Sequence, residues 1–286
     1  MPITPFQALA CPLDGDPLTC DSRVWRCPVG HSFDIARQGY THLLPVQNKR
    51  SRNPGDSKDM VAARRTFLNA GFYQPIADAV NRLILADAPG EGVLSCLDAG
   101  CGEGYYLRQL ANAAGERQTL ELLGVDISKW AVLAAAKQDK RPAWAVGTNA
   151  RLPVLSGSVD RVLCLFGFPV YSEFARVLKP GGQLLQVDAG PRHLQELREI
   201  IYPALKPEKN EGTVTPGGFT ALTITMERFP LVLTSQAQIA NLLAMTPHLY
   251  RASAEGIERA SALDSLTVTV DVRITCYRQS DSANSL

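Results

Sequence analysis

One segment constrains this chain more than any other, the turn Asp98-Ala99-Gly100-Cys101-Gly102-Glu103-Gly104. It follows the short, nearly continuous apolar run of residues 93–98, and a helical pattern follows it over about 104–114. Glycines at spacing two let a backbone turn tightly and admit a ligand against the main chain. The same alternation continues downstream. Apolar runs at 120–125, 144–146, 159–166 and 183–188 read as strands, and 129–137 and 174–177 as helices. Lys179-Pro180-Gly181-Gly182 reads as the turn into the fifth strand. Continuous apolar strands alternating with helices imply an α/β fold: a mostly parallel, Rossmann-like sheet with helices on both faces.

Asp126 closes the second of these strands. An acid at that place accepts both hydroxyls of a ribose. The bare glycine pattern leaves two rivals, a nicotinamide dinucleotide and S-adenosylmethionine. A dinucleotide loop cradles a pyrophosphate on a helix N-terminus. Here Asp98 precedes the turn and Glu103 lies inside it, and two carboxylates repel a pyrophosphate but hold an ammonium and a sulfonium. The loop favours S-adenosylmethionine. Asp98, Gly100, Gly102, Glu103, Gly104 and Asp126 are its candidate contacts. Asn149, just past the third strand, either bonds an adenine edge or forms a turn.

The remainder of the 286 residues adds flanking elements. Helices are expected over 57–69, 73–86, 191–201 and 235–245, an edge strand over 219–233, a last strand over 266–277, and a frayed tail after 279. With 45 % apolar and 20 % charged residues the chain has ample material for a core, and no run approaches a membrane span. No secretory pattern opens it, so a cytoplasmic place is expected.

Residues 1–36 are too poor in apolar side chains to hold together by burial alone. They contain Cys11, Cys20 and Cys27 close to His31, one of four histidines. Residues 37–58 read as a basic linker, and 59–286 as the catalytic domain. Between 37 and 65, seven basic side chains (Arg37, Lys49, Arg50, Arg52, Lys58, Arg64, Arg65) face two acids, an excess above the net +1 of the whole chain. A basic patch on a neutral body suits a polyanion held in one place.

Longer words in the sequence resemble a narrower family. They are Cys-Pro-Leu at 11–13, Cys-Pro-Val-Gly-His-Ser-Phe-Asp at 27–34 and the run from Gly39 through Asn48 to Ser57. Further on come Ala-Arg-Arg-Thr-Phe-Leu at 63–68, Gly-Phe-Tyr-Gln-Pro at 71–75, Cys-Gly-Glu-Gly-Tyr-Tyr at 101–106 and Gly-Pro-Arg-His-Leu at 190–194. Nearly the whole chain thereby resembles the large-subunit ribosomal RNA guanine-N1 methyltransferases, within the class I S-adenosylmethionine-dependent enzymes. The resemblance implies that Tyr73, Gly102, Glu103 and His193 contact the cofactor. It implies methylation of guanine N1 in a hairpin loop of 23S ribosomal RNA, with no membrane partner and homodimer formation left open.

The family also carries a zinc module. Cys11, Cys27 and His31 occupy three of its ligand positions, and Asp14 stands where the family has a fourth cysteine. Asp14 could ligate Zn2+ through oxygen, Cys20 could swing in, or packing around Trp25 and Phe33 could replace the metal. For the RNA, Lys49 to Arg52 with Arg64 and Arg65 are candidate phosphate contacts, and Trp25, Tyr40 and His42 candidate stacking residues. For the chemistry, Asp188 and His193 are the candidate groups to take the N1 proton. Phe166, Phe168, Pro169 and Tyr171 are candidates to sandwich the base. The alternatives are a methyltransferase acting on another RNA or a small molecule, and a non-catalytic rRNA-binding protein.

Overall fold

The computed structural model describes residues 3–48, 51, 53–86, 92–115, 118–204 and 214–280. Its elements run β1 (Ile3–Thr4), β2 (Thr19–Asp21), β3 (Val24–Arg26), β4 (Ser32–Asp34), β5 (Tyr40–His42), α1 (Lys58–Asn69) and α2 (Gln74–Ala86). The central part holds β6 (Val93–Ala99), α3 (Tyr105–Ala113), β7 (Thr119–Asp126), α4 (Lys129–Gln138), β8 (Ala143–Val146), β9 (Val159–Leu165), α5 (Tyr171–Val177) and β10 (Leu178–Ala189). It closes with α6 (Gln195–Ile201), β11 (Phe219–Leu233), α7 (Gln236–Ala244), α8 (Ala254–Ser261) and β12 (Leu266–Gln279).

The large sheet has the order β11-β12-β10-β9-β6-β7-β8-β5, with β1 added alongside β7. From β5 to β10 every pair is parallel, and β12 is antiparallel to both β10 and β11. This is the expected Rossmann-like α/β fold. Strand β6 shows why both faces are covered. Leu94 and Cys96 belong to one buried cluster with α1 to α4 and α6 to α8, whereas Leu97 and Ala99 belong to a second with α5 and the N-terminal module. Period-two alternation sends successive side chains to opposite faces, so a strand buried on both reads as continuously apolar. Because β6 to β10 are parallel, their C-terminal ends open on one edge, where ligands bind in sheets of this kind.

Local chemistry sets the helix starts. The Ser57 hydroxyl accepts the Met60 N–H at the head of α1, Ser128 caps α4 and Ser235 caps α7.

Three expectations need correction. Residues 37–58 are not only a linker, because β5 pairs with β8 inside the large sheet. The N-terminal module likewise does not stand apart, since β1 pairs with β7, and Leu9 bridges to Val154. The expected helix over 191–201 begins only at Gln195, after a turn in which Leu194 takes a left-handed φ of 53°. The tail after Ser280 and the basic residues Lys49, Arg50 and Arg52 lie outside the described residues. Among the described residues, no helix is long and apolar enough to cross a membrane.

Candidate active site

A cavity of about 1230 Å³ opens at the C-terminal edge of the sheet. Its walls include the Gly100–Glu103 turn, Asp126, Asn149, Phe166, Phe168, Asp188 and His193, which separate strand ends supply. Tyr73, Tyr106 and the 245–248 segment close it from the helical side.

Asp98, the last residue but one of β6, lines this cavity. It is buried, and neither carboxylate oxygen has a hydrogen-bond partner. Burial, aided by the nearby Asp126 charge, pushes its carboxyl up to about 8. An orphaned acid of this kind is built for a cationic partner. Asp126 is raised as well, chiefly by burial, but its oxygens are used: Oδ2 accepts the Gly102 N–H at 2.9 Å and Oδ1 the Ser128 N–H at 2.8 Å. These bonds fix the glycine turn against the end of β7, and the remaining lone pairs suit ribose hydroxyls.

The three glycines of the turn all take positive φ, but for different reasons. A Cβ on Gly100 would meet only Asn149 Nδ2 at 3.9 Å, so its backbone faces open cavity. A Cβ on Gly104 would lie 2.5 Å from the Trp144 ring and 2.9 Å from Ala135. Gly104 therefore answers to core packing and not to ligand approach. Glu103 is buried, with its carboxylate on Arg108 at 3.0 Å and on Gln138. That excludes a solvated acid and makes the side chain a brace between α3 and α4. Asn149 Nδ2 donates to the Ala99 carbonyl at 3.2 Å, which ties the loop after β8 to the end of β6.

On the other side of the cavity Tyr73, Phe166 and His193 meet. Phe166 lies 6.1 Å from Tyr73 and 5.8 Å from His193 by ring centroids. Phe166 is 40 % exposed and held at φ 53°, a conformation that costs energy in a non-glycine residue and points to function. It is not plain core. Phe168 is 90 % exposed at the mouth. Tyr171, by contrast, turns to Phe174, Phe219 and Gln186.

His193 cannot serve as a base. Its Nδ1 accepts the Asp271 backbone N–H at 3.2 Å, and its Nε2 lies 3.3 Å from Tyr73 Oη. A backbone amide only donates, so the neutral ring carries its proton on Nε2 and keeps no free lone pair. Burial pushes its pKa down to about 4, so the ring is neutral at pH 7. Asp188 is different. It is half-buried at the cavity edge, accepts Gln186 Nε2 at 2.9 Å and faces Arg273 at 3.7 Å.

Other expectations shift too. Arg64 is part of the cavity wall, paired with Asp56 and with the Met245 carbonyl, and is not a surface phosphate contact. Trp25 and Tyr40 are buried in the core and cannot stack on a base, whereas Arg65 is exposed. Tyr106 was not legible as a site residue because it falls in the expected helix over 104–114, and residues 246–248 were not because they lie beyond the expected helix over 235–245.

A second site lies in the N-terminal module. Single ligand atoms of Cys11, Asp14, Cys27 and His31 all fall within 4.8 Å of one another. His31 Nδ1 is 3.6 Å from Cys11 Sγ, 3.4 Å from Cys27 Sγ and 2.8 Å from Asp14 Oδ2. A tetrahedron with metal–ligand bonds of about 2.0–2.3 Å has edges of roughly 3.3–3.8 Å, so the donor set fits zinc. The His31–Asp14 edge, at 2.8 Å, is shorter than that range. Cys20 is exposed on β2 opposite Trp25, outside this cluster.

Comparisons with known proteins bear on the family. A family model described as "RlmA, N-terminal" matches residues 9–52, and one described as "Methyltransferase domain" matches residues 97–186. A Bacillus subtilis (strain 168) protein, provisionally named a 23S rRNA (guanine-N(1)-)-methyltransferase, is 32 % identical over 94 % of this chain and 96 % of its own. A Micromonospora griseorubida protein with the same provisional name is 34 % identical over 94 % and 97 %. The 23S rRNA (guanine(748)-N(1))-methyltransferase of Streptomyces fradiae is 37 % identical over 68 % of this chain and 67 % of its own.

Proposed function

This chain belongs to the 23S rRNA (guanine-N1)-methyltransferase family, and we propose that it methylates N1 of one guanine in a hairpin of 23S ribosomal RNA, in the cytoplasm. The observation that carries this reading is the pairing, in one cavity, of an orphaned Asp98 with an open aromatic mouth at Phe166 and Phe168. Asp98 and the glycine turn suit a cationic nucleoside cofactor. The mouth suits a base taken out of its stack. A small-molecule methyltransferase calls for a closed apolar acceptor pocket, and a 90 % exposed phenylalanine at the rim does not make one.

S-adenosylmethionine, when bound, supplies a methyl group on a sulfonium to the ring nitrogen. Gly100, Gly102 and Asp126 would hold its nucleoside part, and Asp98 its ammonium. Phe166 and Phe168 would hold the guanine plane, so that much of the acceleration comes from placement. Neutral guanine carries a proton on N1, which has to leave as the nitrogen attacks. Asp188 is the carboxylate at that edge able to accept it, kept in place by Gln186. In the module, Cys11, Asp14, Cys27 and His31 would hold zinc, which there orders the backbone and takes no part in the transfer.

The test is methyl transfer from labelled S-adenosylmethionine to large-subunit ribosomal RNA lacking its native modifications, followed by nucleoside mass analysis. A 1-methylguanosine at one hairpin position is expected. Cofactor binding without incorporation into this RNA would sink the substrate assignment.

A further inference from the structure

The hydrogen bonds behind Asp188 run in one direction. Asp188 and Gln186 stand two apart on β10, so their side chains share one face of the sheet. Asp188 lines the cavity, and Gln186, 7 % exposed, supports it from the sheet. Gln186 Nε2 donates to Asp188 Oδ2 at 2.9 Å and lies 3.2 Å from Oδ1. An ionised carboxylate only accepts, so the amide has to turn its nitrogen toward Asp188 and its oxygen the other way. On that other side the Tyr171 hydroxyl donates to Gln186 Oε1 at 3.0 Å. Burial raises the Tyr171 phenol above its ordinary value, so it keeps the proton that it donates. A reversed amide would set Oε1 against the carboxylate and leave the Tyr171 proton without its acceptor.

We propose that Tyr171 and Gln186 are positioning residues for the transfer: Tyr171 fixes which end of the Gln186 amide faces Asp188, and the amide thereby holds Asp188 as the proton acceptor at the guanine edge. This rests on the reading that Asp188 takes the N1 proton. In that step the N1–H bond breaks toward Asp188, the pair left on N1 bonds the methyl carbon, and the carbon–sulfur bond breaks to leave S-adenosylhomocysteine. The place of Tyr171 gives the relay a second use. It opens α5, directly after the 166–170 segment that carries Phe166 and Phe168. Its ring is held by Phe174 and Phe219, at 6.5 and 6.2 Å between centroids. One anchored residue thus joins the segment proposed to hold the guanine plane to the carboxylate proposed to take its proton. Arg273, opposite Asp188 on β12 and 3.7 Å from Oδ2, adds positive charge but does not set the direction of the amide.

Single-turnover methylation of unmodified large-subunit RNA, at saturating protein and S-adenosylmethionine, reads the transfer step. Tyr171→Phe keeps the ring and its packing and removes only the hydroxyl. It should slow transfer about five- to tenfold, with affinity for RNA and for S-adenosylhomocysteine within about twofold of wild type. Gln186→Leu should slow transfer further, and the Y171F/Q186L double variant should be no slower than Q186L, because Tyr171 acts only through the amide. Where Q186L does not fold, Y171F decides by itself. A tyrosine that served packing alone would instead leave the transfer rate of folded Y171F unaltered, or its loss would multiply with that of Q186L; either result would overturn the relay. Asp188→Asn separates the relay from the reading beneath it. A slow D188N beside an unaltered Y171F would remove the relay and leave Asp188 as the acceptor. A D188N as fast as wild type would remove Asp188 as the acceptor, and the relay with it. No 1-methylguanosine from the wild type would sink the proposed function, and both with it.

Discussion

Binding of the cofactor's amino-acid end beside Asp98 should expel a proton. With its carboxyl raised to about 8 by burial and by Asp126, Asp98 is protonated in about nine-tenths of molecules at pH 7. An ammonium ligand needs the ionised form. Each S-adenosylhomocysteine bound at pH 7 should therefore release about 0.9 proton, and nearly one at pH 5.5. The cost of ionisation at pH 7 is on the order of 1 kcal/mol, a roughly tenfold weakening of the intrinsic affinity. Calorimetric titrations in buffers of different ionisation enthalpy read the proton count as a slope. Asp98→Asn should bring that slope close to zero. The same group carries a stability signature. Its folded pKa lies above the ordinary 3.8, so its stabilising contribution is complete below 3.8 and is lost as pH rises to about 8. The full loss is on the order of 6 kcal/mol as an upper bound. Asp98→Asn should therefore flatten the alkaline fall of Tm in the ligand-free protein. An unlinked wild type, or release undiminished in the variant, would refute the assignment of Asp98 as the ammonium partner.

Three further outcomes are expected. Gly104→Ala places a methyl 2.5 Å from Trp144 at φ 82°, so urea unfolding should show a loss of about 2–4 kcal/mol, and an unchanged midpoint would contradict the packing role. Phe168→Ala should leave stability within about 0.5 kcal/mol and cofactor affinity unaltered while raising KM for RNA several-fold; weakened cofactor binding with normal KM would place Phe168 elsewhere in the cycle. Metal analysis of the purified protein should find one zinc, lost in Cys27→Ser and in Asp14→Ala and kept in Cys20→Ser; retention in Asp14→Ala would remove the aspartate from the ligand set.

The sheet was legible because its central strands are buried on both faces and so read as unbroken apolar runs bounded by glycine and proline. Strands β1 and β5 were not, since two- and three-residue strands have too few positions for any periodicity to register. Helix α8 was missed for a different reason. Gly256 lies inside it and reads as a breaker, yet a Cβ there would stand 2.2 Å from the Ile201 carbonyl, so the glycine exists to let α8 approach α6. At the site, Asp98 and Asp126 stood out from their place at strand ends. His193 was visible as a residue but not as a tautomer, because its role depends on an amide of β12, 78 residues away. Trp25 was misplaced on general grounds, since an aromatic in a cysteine-rich segment just ahead of a basic run suits nucleic acid as well as a small core, and only its burial in one cluster with Leu9 and Leu18 decides it.

The N-terminal segment gains a second meaning once β5 is seen inside the large sheet. The chain leaves the cysteine–histidine–aspartate cluster and enters the sheet beside β8, and Gln47, Pro54, Gly55 and Asp56 form part of the cavity wall. Gly55 and Asp56 are pinned. The Ser128 hydroxyl donates to the Asp56 carbonyl at 2.7 Å, Asp56 pairs with Arg64, and a Cβ on Gly55 would sit 2.8 Å from Ile127. Ser128 itself shares a carboxylate with the glycine turn through Asp126. On the proposed reading, a metal held by Cys11, Asp14, Cys27 and His31 would bear on the wall of the cofactor cavity through the pairing of β5 with β8.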